Sequence, residues 1–151
     1  MTGPATQPET QGTTLVSVTR FRLRALRFLP FFMLHANRSI AQIRKSDGFL
    51  AGAVQREAGL AFWTLTVWRD AHAMRAFAAS GAHRTSAPHL ANWADAARVA
   101  HWLQPGCELP AWPEAVRRLR EEGRSMTLRY PAVNAGEEGC TEPRIIGGMR
   151  L

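Results

Sequence analysis

Apolar and polar positions alternate through residues 62–69. Trp63, Leu65 and Val67 point one way, and Phe62, Thr64, Thr66 and Trp68 the other. The run is rich in β-branched and aromatic side chains, so the period of two predicts a strand. The same period runs through residues 15–24, where Leu15, Ser17, Thr19, Phe21 and Leu23 oppose Val16, Val18, Arg20, Arg22 and Arg24. Residues 49–56 and 98–104 read as two more strands. The first carries the small residues Ala51, Gly52 and Ala53 at its middle, the second His101 and Trp102. Ala58-Gly59 is a short turn that makes strands two and three a hairpin. A helical period replaces the strand period between them. After Pro30, Phe32, Ala36, Ile40 and Ile43 form one buried stripe, ended by Ser46-Asp47-Gly48. Asp70 is a natural N-cap for a helix over residues 71–80, with Met74, Phe77 and Ala78 on one face and Gly81 as its stop. The segment 81–84 then forms a tight knot, and residues 88–93 a short second helix. A last helix spans 113–122, with Val116 and Leu119 on its apolar face beside Trp112.

The order is β-α-β-β-α-β with an added helix. That is an α+β, ferredoxin-like arrangement, an antiparallel four-stranded sheet with helices on one face. The other face, taken as carrying Phe62 and Trp68, needs cover. Two sheets packed face to face supply it, which predicts a homodimer closed into a dimeric α/β barrel. Residues 1–12 read as a disordered lead-in, 13–123 as the domain, and 124–151 as a partly disordered C-terminal extension. Within that extension 125–133 reads as a further strand, and Gly, Glu and Pro from Asn134 onward read as loop. The polar first dozen residues lack a signal-peptide core, and the apolar run 28–34 is too short for a membrane span. Both point to the cytoplasm.

Charge changes this picture little. Nineteen Lys and Arg against 12 Asp and Glu give +7, and Lys45 is the lone lysine. The arginines are spread along the chain, without a block, a zinc-finger spacing or a helix-turn-helix pattern, so no nucleic-acid partner is expected. Cys107 and Cys140 lack CxxC or His neighbours at ligand spacing, so no metal site is expected and both read as free thiols. No GxGxxG, Walker loop, GxSxG or HExxH occurs, so no flavin or nicotinamide domain is indicated.

What remains is a concentration of His, Trp and Arg. His83 follows a helix-ending glycine, where a side chain can be aimed inward as a proton-transfer group or haem ligand; the plainer alternative is a helix C-cap. Arg84 beside it offers an anion clamp, for a carboxylate or a haem propionate. Trp68, Thr66 and Thr64 share one strand face, an apolar wall with a few hydrogen-bonding groups. Arg20 and Arg22 alternate along the first strand and could bring a second positive group, or mark its wet end. His101 reads as a core histidine, His35 as a satisfied edge residue, and His72 and His89 as surface.

The runs FWTLTVWRD, AMRAF, SGAHR and HW also resemble a family of small bacterial proteins related to spheroidene monooxygenase, grouped with the antibiotic-biosynthesis monooxygenases. The likeness extends back to VTRFRLR and DGFLAGAV and forward to LPAWPEA, across residues 15–120. The resemblance implies the dimeric barrel independently. It also implies an oxygenase acting on an apolar or aromatic small molecule. Haem would serve in the spheroidene monooxygenase type; in the antibiotic-biosynthesis type no cofactor is needed and the substrate supplies the electrons. A non-redox binding protein, isomerase or cyclase on the same barrel is the alternative, because fold does not fix function.

Overall fold

The computed structural model describes residues 12–135 and 142–151. The expected lead-in 1–12 and Cys140 therefore fall outside the described residues, Gly12 excepted. Strand β1 (Thr13–Leu23) leads through a 3-10 turn (Leu26–Phe28) into helix α1 (Leu29–Ile43). Then come β2 (Phe49–Glu57), β3 (Ala61–Trp68), α2 (Ala71–Ala78), α3 (Gly81–Trp93), β4 (Ala94–Pro105), α4 (Trp112–Glu122), β5 (Arg124–Ser125) and β6 (Ile145–Arg150). The sheet order is β5-β4-β1-β3-β2-β6, with every pairing antiparallel. Its inner four strands, 4-1-3-2, are the ferredoxin-like sheet that the β-α-β-β-α-β order demands, extended by one strand at each edge.

Period two gives each strand two faces, and the register joins them across the sheet. Val16, Val18, Trp63, Leu65, Val67, Ala100 and Trp102 form one buried face. Ala115, Val116 and Leu119 of α4 lie on it. Phe62 and Trp68 belong to the opposite face, under α1, α2 and α3. The expectation of an uncovered Phe62–Trp68 face therefore does not hold. The helix at 112–122 closes the second face within one chain, so the argument for a dimer from exposed aromatics is removed.

Three local expectations change for physical reasons. Gly81 (φ +56°) does not stop the chain in a knot; after the extended Ser80 it opens α3, which runs unbroken through Pro88 to Trp93. The strand expected over 125–133 shrinks to Arg124–Ser125. The loop expected from Asn134 onward gives way, at Ile145–Arg150, to a strand on the outer edge of β2.

That edge strand ties the end of the chain to the domain. The Leu151 N–H donates to the Gly52 carbonyl at 2.9 Å, and its side chain packs into the cluster around Trp68. Deleting residues 142–151 should cost roughly 1–2 kcal/mol of burial and pairing, a melting point lower by roughly 3–6 °C. Thermal denaturation followed by circular dichroism reads this; an unchanged midpoint would show that the edge adds nothing.

Candidate functional site

The face beneath the helices is not uniformly apolar. One end holds Leu15, Ile43, Trp68 and Ala73 with Phe49, Phe77 and Leu151 against them. The other holds Phe21, Leu23, Trp93 and Ala97 with Phe28, Phe32 and Phe62. Between the two clusters the register sets two rows: His101–Ser17–Thr66–Gly52, and Val99–Thr19–Thr64–Val54. Ser17, Thr19 and Thr64 sit on the two central strands yet remain half-exposed. A central-strand side chain on a helix-covered face reaches solvent only where the helices stand off the sheet. The strip is thus a trench floored by hydroxyls and walled at both ends by aromatic clusters. Its mouth is at β4, where His101 and Leu103 are exposed.

His101 is the titratable group on this floor, and sequence reasoning placed it in the core. Its neighbours Ala100 and Trp102 are buried, and they made the whole strand end look buried. Alternation is the signal that could have found it, since His101 points away from both. Partial burial, and then the charge of Arg124, push its pKa below the ordinary 6.5 although the ring stays open to solvent. Both effects favour the neutral imidazole over the charged one. Arg124 lies opposite Val99, at the same mouth.

The residues singled out from sequence are distributed differently. Thr64 and Thr66 are on the floor. Trp68 shares their face but is buried core at one end wall, its Nε1 donating to Thr66 Oγ1 at 3.0 Å. Arg20 and Arg22 are on the opposite face and do not join the threonines. Arg20 Nε donates to Glu57 Oε2 at 2.8 Å and its Nη2 to Oε1 at 3.1 Å; Trp63 Nε1 donates to the same carboxylate at 2.7 Å. Arg22 pairs with Asp95 at 2.8 Å. These arginines serve carboxylates of this chain, as their partial burial requires.

His83 lies in the first turn of α3, half-buried, while Arg84 is exposed. The imidazole rests on Phe77, 4.8 Å between ring centroids, with Nδ1 3.2 Å from the Ala78 carbonyl. Its backbone N–H donates to Gln42 Oε1 at 2.9 Å. This is cap geometry at the end of α2. The surroundings do not fit a haem: Ser80, Gly81, Arg84 and Thr85 beside the ring are exposed, whereas a macrocycle needs an apolar slot. His83→Ala should lose about 1 kcal/mol of stability, as a lost cap does, and keep any turnover. Lost turnover at an unchanged melting point would return His83 to the site.

A second aromatic group joins α1 to α3. His35, His89 and Trp93 lie within 5.3–5.4 Å of one another. Ser86 Oγ donates to the Ala82 carbonyl at 2.7 Å, so the 2.9 Å contact with His35 Nδ1 is assigned with the imidazole as donor. His35 is thereby fixed in the helix–helix seam. Among the described residues no group of three or more His, Cys, Asp or Glu could hold a metal ion. Cys107 is exposed and free. Among the described residues no helix is long and apolar enough to cross a membrane.

An α+β sheet of order 4-1-3-2, with helices over one face, defines the class: a ferredoxin-like domain. The chain belongs to the family described as a domain of unknown function, DUF3291, whose model matches residues 35–127. No curated protein matches it in sequence. Among solved structures it is similar to a Nitrosomonas europaea protein of unknown function, at 13% identity and a TM-score of 0.55, over 67% of this chain and 98% of that one. A candidate antibiotic biosynthesis monooxygenase from Nitrosomonas europaea gives 13%, 0.53, 64% and 92%. SnoaB, a cofactor-independent oxygenase from Streptomyces nogalater, gives 21%, 0.48, 63% and 94%. At these identities the likeness is one of fold, and the last superposition is too loose to support more.

Proposed function

We propose that the protein is a monooxygenase-like enzyme that oxidises an apolar, electron-rich aromatic molecule in the trench between sheet and helices, without haem. The observation that carries this reading is the position of the His101 imidazole, in one row with Ser17 and Thr66 and at the open edge of a hydroxyl-lined strip between two aromatic clusters. An aromatic substrate would lie across Ser17, Thr19 and Thr64, its rings against the end walls and its oxygens on the hydroxyls. His101 would take a proton from an acidic O–H or C–H of the substrate, and Arg124 would stabilise the anion that results. The anion is the electron source for dioxygen: one oxygen atom enters the substrate and the other leaves as water. The fold is shared with a protein named as a candidate antibiotic biosynthesis monooxygenase, which is compatible with this chemistry. The trench is built from one chain, so the homodimer implied by the resemblance is not required for it.

The test is oxygen uptake by the purified protein with a reduced polycyclic phenol, in the absence of added metal or cofactor. One dioxygen consumed per oxygenated product is expected. Tight binding of the phenol without oxygen uptake would instead favour a non-redox binding protein.

A further inference from the structure

Helix α1 is apolar on both sides. Its inner side carries Phe32 and Ile43 into the two clusters beneath the helices. The outer side is mostly open: Phe31 (59% exposed), whose ring also meets Trp93 at 6.4 Å between centroids, Leu34 (49%) and Met33 (43%) stand out from it, and Leu26 (67%) extends the patch from the preceding turn. Phe31, Leu34, Arg38 and Ala41 recur at spacings of three or four, so they lie on one stripe of α1, with Arg27 in the turn before it and Lys45 just past its end. All six are exposed, as is Arg44 beside them. The stripe thus has an apolar centre with cations at both ends. Residues 10–46 contain no Asp or Glu, so no acidic side chain of the helix or of the strand before it offsets those cations.

We propose that this outer face of α1 docks the protein on an anionic lipid surface. An exposed apolar strip flanked by arginines on a helix lying flat is the pattern of an interfacial helix. Phe31 and Leu34 would enter the headgroup–acyl boundary, while Arg27, Arg38, Arg44 and Lys45 reach the lipid phosphates. The combination of exposed apolar side chains and flanking cations suits a surface that is apolar within and anionic at its face. A second copy fits poorly. A two-fold interface through this stripe sets the cations of one chain against those of the other, and like charges across an interface are costly. The proposal is independent of the oxidation chemistry above.

Flotation of the full chain with vesicles tests it, using phosphatidylcholine alone and phosphatidylcholine mixed with phosphatidylglycerol. Binding is expected to the mixed vesicles only, weakening as salt is raised. Phe31→Ser/Leu34→Ser should abolish it. Arg27→Gln/Arg38→Gln should weaken it roughly thirtyfold, since each cation at an anionic surface counts for roughly a factor of five. Arg27 and Arg38 are exposed, so that variant should melt like the parent; Phe31 also meets Trp93, so Phe31→Ser/Leu34→Ser should melt slightly lower yet stay folded at the temperature of the flotation, as circular dichroism checks. Three results would overturn the proposal: no flotation with mixed vesicles at low salt, equal flotation with neutral ones, or binding unaffected by Phe31→Ser/Leu34→Ser. A parent that sediments as a dimer and a Phe31→Ser/Leu34→Ser variant that sediments as a monomer would give the face to a second copy, and would overturn it too.

Discussion

Replacing Glu57 with alanine is expected to destabilise the protein by about 3–5 kcal/mol, the cost of removing one partner from a buried ion pair. The Arg20 and Glu57 side chains are 7% and 13% exposed, so water screens the pair little. The Glu57 carboxylate accepts two bonds from Arg20 and one from Trp63 Nε1, and without it a guanidinium and an indole N–H lose that acceptor inside the protein. Glu57→Gln keeps an acceptor for the indole but not the charge, and should fall between alanine and the parent. Arg20→Met/Glu57→Leu should recover much of the loss, because apolar replacement of a buried pair removes the desolvation cost of both ions. Guanidinium denaturation of the parent, Arg20→Met, Glu57→Leu and Arg20→Met/Glu57→Leu forms the double-mutant cycle that isolates the pair. A loss below about 1 kcal/mol in Glu57→Ala would mean that the pair behaves like a surface one.

Much of the sheet was legible because its signal is local. Period two in residues 62–69 and 15–24 fixed which side chains share a face, and the register joins those faces as the alternation implied. Which face meets which helix is not local. Val116 and Leu119 advertise an apolar helix, but nothing in their spacing says that it folds back over Trp63 and Leu65. Hence Phe62 and Trp68 were placed on the uncovered side. The partners of Arg20 and Arg22 were out of reach for a related reason. The alternation of the two arginines was right, but Glu57 and Asp95, 37 and 73 residues away, neutralise them only once the strands pair. Ile145–Arg150 shows the limit for edge strands. Its two glycines and exposed side chains carry little period, and the β2 edge supplies the order. The candidate site was half legible. The face that Thr64 and Thr66 share could be read from the alternation, whereas the part proposed for His101 depends on a gap between layers that no spacing encodes.

That gap makes His101→Gln the most informative substitution for the chemistry. Glutamine keeps a polar side chain of similar reach at the trench mouth but cannot accept a proton as a base. If His101 abstracts the substrate proton, kcat/KM for oxygen uptake should fall by roughly 10²–10⁴-fold, the usual worth of a positioned general base. The parent should also show a distinctive pH profile. Burial and Arg124 hold the His101 pKa below 6.5, so the active neutral form is already dominant at pH 7. The rate should rise with pH only below 6.5 and stay level above it; His101→Gln should lose that limb. Stability moves in the same direction. The unfolded chain binds the His101 proton more tightly than the folded one, so folding free energy is fully present above 6.5. It declines as pH falls through that value towards the lower folded pKa, and His101→Gln should be less sensitive over the same window. The two readouts separate a catalytic from a structural role: a merely structural imidazole changes the pH dependence of melting and leaves the rate limb untouched. If His101→Gln consumes oxygen at the parent's rate, the base lies elsewhere. His83 would then be the next group to test, since its ring rests on Phe77, which packs against Trp68 at the near end wall.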